Sequence, residues 1–109
     1  MTDTKLPADS KVAIVTGAAR GIGLATATLF AERGLFVILV DRDEEELQQA
    51  QANLNNNTPY NHTALVCDVS SPDAVSQMTA QVLDQTGRID VLVNNAGIAD
   101  FGPIEDTDF

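Results

Sequence analysis

Three glycines, Gly17, Gly21 and Gly23, crowd into the stretch TGAARGIG, just after a short apolar run. Glycine lets a chain turn sharply and lets backbone come close to another group without a Cβ between them. Gly17 would turn the chain off the apolar run. Gly21 and Gly23 would admit close approach, of a phosphate to backbone or of one element to the next. If a helix starts here, its unpaired N–H groups and positive dipole end suit an anion such as a pyrophosphate. A tight turn that holds nothing would use the same glycines. Asp41 lies 18 residues beyond Gly23, at the end of the next apolar run. A carboxylate near this offset can accept hydrogen bonds from adenosine ribose hydroxyls. The competing reading is a plain strand-end aspartate, although Asp43 is already placed to cap the helix that follows.

The elements that must position these residues alternate between two kinds. KVAIVT (11–16) is a short β-branched run that reads as a buried strand. A helix is expected from about Gly21 to Arg33, with Ile22, Ala25, Leu29 and Phe30 on its apolar face and Gly34 as its left-handed stop. LFVILVD (35–41) is continuously apolar, as in a strand covered on both sides. Asp43 and Glu46 have the spacing of a capping box, and Leu47, Ala50 and Leu54 form the stripe of the second helix. NNNTPYN (55–61) ends that helix with turn chemistry, and TALVCDV (63–69) is a third strand. Ser71 before Pro72 marks the third helix start, Val75, Met78, Val82 and Leu83 its stripe, and Gly87 its end. IDVLVNNAG (89–97) is a fourth strand running into a loop, and the tail to Phe109 is loop-like with a helix start near its end. The pattern βαβαβαβ implies an α/β fold, a parallel sheet with helices on both faces. The expected strand order is 3-2-1-4, part of a doubly wound Rossmann-type sheet, with the glycine loop where such sheets bind ligands.

Composition narrows the partners. At 109 residues the chain is one domain at most, and 44% hydrophobic residues argue against disorder. A net charge of −10 with six basic residues disfavours nucleic acid and anionic membranes. No apolar run approaches the roughly 20 residues of a membrane span. Residues 1–10 read as a short solvated lead-in without a secretory signal. The single cysteine, Cys67, fits a reducing, cytoplasmic setting and, with Met78, a place in the core. His62 has no metal-ligand spacing around it and reads as a surface loop residue. The run DRDEEE reads as a solvated helix start.

With these residues in register, the chain resembles the short-chain dehydrogenases/reductases. The spacing T-G-x-x-x-G-x-G at 16–23, CDVS at the end of strand three and NNAG at 94–97 all match that family's pattern. The resemblance runs from Lys11 to the end and covers the N-terminal half of a family member, the dinucleotide-binding part. It implies that Gly17, Arg20, Ile22 and Gly23 line a pyrophosphate. It implies that Asp41, and with it Arg42, faces the adenosine ribose, and that Asp68 and Val69 border the adenine. Asn94, Ala96 and Gly97 would meet the ribose and brace the sheet. Read from the residues alone, Asp68 could equally be a loop aspartate capping the helix at Ser71, and NNAG a plain strand-ending turn.

The implied activity is hydride transfer between a nicotinamide cofactor and an alcohol or carbonyl. NAD is expected over NADP, because Asp41 would repel a 2′-phosphate, although Arg20 and Arg42 could attract one. The family's chemistry needs a tyrosine, a lysine four residues after it, a serine and a further asparagine. The one tyrosine, Tyr60, is followed four residues later by Ala64, and the lysines are Lys5 and Lys11. Ser10, Ser70, Ser71 and Ser76 all precede strand four, and the catalytic segments would begin beyond Phe109. No catalytic residue is assigned, and the chain by itself is not expected to transfer hydride. Two other classes are weighed against this reading. One is a stand-alone nucleotide-binding or interaction module without chemistry. The other is an S-adenosylmethionine-dependent methyltransferase, which shares the layout but not this glycine spacing or NNAG. Strand four would carry a bare apolar edge, so self-association is expected.

Overall fold

The structure is a computed structural model and describes residues 10–95. Four strands, β1 (Val12–Thr16), β2 (Phe36–Asp41), β3 (Thr63–Val66) and β4 (Val91–Asn94), form one parallel sheet in the order β3-β2-β1-β4. Between them run α1 (Gly21–Glu32), α2 (Glu44–Asn57) and α3 (Pro72–Thr86). Element order and sheet order are as the apolar runs imply. Val37 and Leu39 point to the side carrying α1 and α2, where they pack with Ala27, Ala31, Leu47, Ala50 and Leu54. Ile38 and Val40 point to the opposite side, with Met78 and Val82 of α3 and the buried Cys67. With helices on both sides, β2 has no polar face, which is why its sequence shows a run rather than an alternation.

The helix ends follow local chemistry. Asp43 caps α2 by accepting from the Glu46 amide at 3.1 Å, and Ser71 caps α3 by accepting from the Ala74 amide at 3.2 Å. Gly34 and Gly87, with φ of +89° and +80°, carry the left-handed turns after α1 and α3. Strand β4 is clamped to β1 at its start. Asp90 accepts from the Val12 amide at 2.8 Å and pairs side-on with the Arg88 guanidinium. Those bonds hold its carboxyl down at about 2.

Four expectations need correction. The face of α1 is Gly23, Ala27 and Ala31, not the stripe read from the larger residues. Ile22 is 76% exposed, Ala25 and Leu29 also lie outward, and Phe30, with Leu24, only flanks the core. Likewise Leu83 of α3 is exposed. His62 is no surface residue: it is buried against β2, where its Nδ1 accepts from the Val37 amide at 3.0 Å. The three asparagines 55–57 belong to α2, which ends at Asn57 with Thr58 as its C-cap.

Candidate nucleotide site

The loop between β1 and α1 leaves the middle of the sheet at its carboxyl edge. Gly17 has φ of +63° and turns the chain there, as expected. Gly21 has φ of +62°, which favours glycine, and no protein atom stands where its Cβ would be. Gly23 is the close-approach position, since a Cβ there would lie 2.0 Å from the carbonyl oxygen of Gly17. The loop is thereby folded against the first turn of α1.

Neighbouring strands hold that loop on two sides. Ala18 donates to the Val40 carbonyl at 3.1 Å, and Ala19 donates to Asp41 Oδ2 at 3.1 Å. Asp41 Oδ1 accepts from the Asp43 amide at 3.1 Å. Asp41 therefore organises the loop and the start of α2, and each oxygen keeps a second lone pair for a ribose hydroxyl. On the other side the buried Thr16 hydroxyl accepts from the Asn95 amide at 2.9 Å and lies 3.1 Å from Asn94 Oδ1. Asn95 Nδ2 stands 3.5 Å from the Gly17 carbonyl, the long limit of a hydrogen bond. Thr16 and Asn95 were not singled out from sequence as site residues. The signal was present in a hydroxyl at the end of β1 and a second amide in NNAG, but their meeting depends on the β1–β4 pairing.

The amino end of α1 differs from the other two helix starts described. Its N-cap, Arg20, is extended and makes no side-chain cap, and the first turn carries no acid. The other two helix starts carry caps and acids, Asp43 with Glu44, Glu45 and Glu46 on α2 and Ser71 with Asp73 on α3. Gly21, Ile22 and Gly23 thus offer first-turn amides, without a competing carboxylate, to an anion such as a pyrophosphate. Ile22, exposed in the first turn, stands beside that anion position.

The remaining predicted residues are placed as follows. Arg20 Nη2 lies 3.1 Å from Glu46 Oε1. Arg42 is exposed just after Asp41. Asp68, also exposed, accepts from the Ser70 hydroxyl at 2.6 Å and from the Ser70 amide at 3.0 Å. These bonds, helped by Arg42, hold its carboxyl below the usual carboxylate range. Its side chain closes its own turn, and the cap of α3 is left to Ser71. Val69 packs on the α3 side of the core. Ala96 and Gly97 lie outside the described residues.

A parallel sheet with a glycine loop at its carboxyl edge and an acid ending β2 defines a dinucleotide-binding fold. The family model described as short chain dehydrogenase matches residues 11–109, and the chain belongs to that family. It is 40% identical over 98 residues to a D-threitol dehydrogenase of Mycolicibacterium smegmatis, covering 90% of this chain and 37% of that protein. Among solved structures it resembles an actinorhodin polyketide ketoreductase with NADPH, at a TM-score of 0.79 and 39% identity, covering 85% of this chain and 35% of that one. It also resembles an NAD+-bound xylitol dehydrogenase, at a TM-score of 0.75 and 38% identity, covering 89% and 39%. The chain thus spans little more than a third of the length of these relatives.

Proposed function

We propose that this chain is the NAD(H)-binding portion of a short-chain dehydrogenase that oxidises alcohols or reduces carbonyls by hydride transfer. The observation that carries the reading is the uncapped, acid-free start of α1 beneath a glycine loop tied to Asp41. In this reading Gly17, Arg20, Gly21, Ile22 and Gly23 surround the pyrophosphate. Asp41 and Arg42 face the adenosine ribose, Asp68 and Val69 border the adenine, and Asn94, Ala96 and Gly97 meet the ribose and brace the sheet. The bound dinucleotide supplies the hydride chemistry; the chain's own residues bind and orient it. NAD is favoured over NADP because the carboxylate of Asp41 repels a 2′-phosphate where it accepts from ribose hydroxyls. The buried, unpaired Cys67 accords with a reducing, cytoplasmic setting, and none of the described helices is long and apolar enough to cross a membrane. The edge of β4 supports self-association.

Calorimetry with NAD, NADP and ADP-ribose tests the reading. The assigned contacts belong to the adenosine and pyrophosphate half. ADP-ribose is therefore expected to bind within about tenfold of NAD, a difference of about 1.4 kcal/mol. NADP is expected to bind more weakly than NAD. Binding of none of the three overturns the site, and equal or tighter NADP binding overturns the selectivity.

A further inference from the structure

Glu46 sits in the first turn of α2, yet it does not complete the capping box that its spacing suggests. The Asp43 amide, which a reciprocal box would direct to Glu46, donates instead to Asp41 Oδ1. Glu46 is left to reach across to the loop before α1, where its Oε1 lies 3.1 Å from Arg20 Nη2. That oxygen is shielded from solvent and has no aligned hydrogen bond, so the contact is a pairing of charges. Arg20 is the basic residue of this loop, and the amide beside it, that of Ala19, is bonded to Asp41. The loop carrying Arg20 is thereby tied to Asp41, which would meet the adenosine ribose, and its guanidinium is paired with Glu46 of the helix that follows Asp41. A guanidinium is the natural partner of a ribose 2′-phosphate, being planar, permanently charged and matched to phosphate oxygens.

We propose that Glu46 is a positioning residue for cofactor selectivity, which engages Arg20 and so denies a 2′-phosphate its cation. The inference rests on the dinucleotide reading above. Asp41 acts on the ribose directly, whereas Glu46 acts through Arg20 from another element. The acids in the first turn of α2, Glu44, Glu45 and Glu46, add repulsion in the same sense.

The test compares ADP-ribose with 2′-phospho-ADP-ribose, which differ only in the phosphate at issue, by calorimetry. In Glu46→Gln the affinity for the 2′-phosphorylated ligand is expected to rise about fivefold, the scale of an exposed ion pair. Affinity for ADP-ribose is expected to hold within about twofold. Adding Arg20→Gln to Glu46→Gln is expected to return the ratio of the two affinities to its original value. A role confined to folding would move both ligands together. An equal change for both, or a gain that survives loss of Arg20, overturns the proposal. If the unaltered chain binds neither ligand, the dinucleotide reading fails and this inference fails with it. If it binds ADP-ribose but the ratio does not respond to Glu46, only the role of Glu46 is lost.

Discussion

Between α2 and the first residues of β2, the imidazole of His62 stands where a strand carbonyl would otherwise accept. Its backbone is fixed from both ends, the amide donating to Asn55 and the carbonyl accepting from Gln51. Its ring stacks near Phe36. Because Nδ1 accepts from Val37, the proton of the neutral ring must sit on Nε2. Protonation would set two N–H groups against each other, and burial lowers the pKa from 6.5 to about 4. The unfolded chain then takes up this proton at a higher pH than the folded one. The contribution is complete above about 6.5 and is lost as pH falls towards 4, by up to about 3 kcal/mol. Asp90, held at about 2, and Asp68 add their own losses only below the ordinary carboxylate range. Urea unfolding at pH 7.5, 5.5 and 4.5 should show a falling midpoint. His62→Gln should flatten the dependence above pH 4.5. A slope unchanged in that variant would show that another group carries it.

On the scale of the element, α1 approaches the sheet through a ridge of glycine and alanine. Gly23→Ala is expected to destabilise the chain by roughly 1–3 kcal/mol, because the new methyl would overlap the Gly17 carbonyl and displace the loop. It should also abolish ADP-ribose binding. Gly21→Ala meets no atom, and its cost is the left-handed backbone alone, roughly 1–2 kcal/mol. Gly21→Asn should recover part of that cost, since asparagine tolerates this conformation. Urea titration checks the order, and a Gly23→Ala chain as stable as the original would refute the close packing. The same ridge explains where sequence reading stopped. Strands and their order were legible because VAIV, FVILV and VLV are apolar runs broken by helical spacing. The α1 face was not, because Gly23, Ala27 and Ala31 carry almost no hydrophobic signal while Ile22 and Leu29 carry a strong one. At the site, Gly17 and Asp41 were readable from spacing. The burial of His62 and the grip of Asn95 on the loop were not, since both depend on partners far along the chain.

For the whole molecule, the sheet ends at β3 on one side and β4 on the other among the described residues. Leu92 of β4 is 48% exposed and faces the α3 side, where Leu83 is exposed as well. An apolar strand without a second partner invites pairing with another chain. Light scattering is expected to show association that grows with concentration, and Leu92→Lys should shift it towards the monomer. A stable monomer of the unaltered chain at high concentration would refute this.

The β1–β4 seam carries a consequence for how the sheet assembles. Its bonds join residues far apart, 78 positions between Val12 and Asp90, against 25 between Val37 and His62 on the β2 side. Closing the longer loop costs about 1 kcal/mol more in chain entropy if nothing between is yet ordered. That surcharge vanishes once β2, α2, β3 and α3 have compacted the intervening chain. The favourable route therefore zips outward from β1 through β2 to β3 and leaves β4 to dock last. The strand that brings Asn95 to Gly17 is then the latest to arrive, so the glycine loop acquires its final shape only when the rest of the sheet is in place.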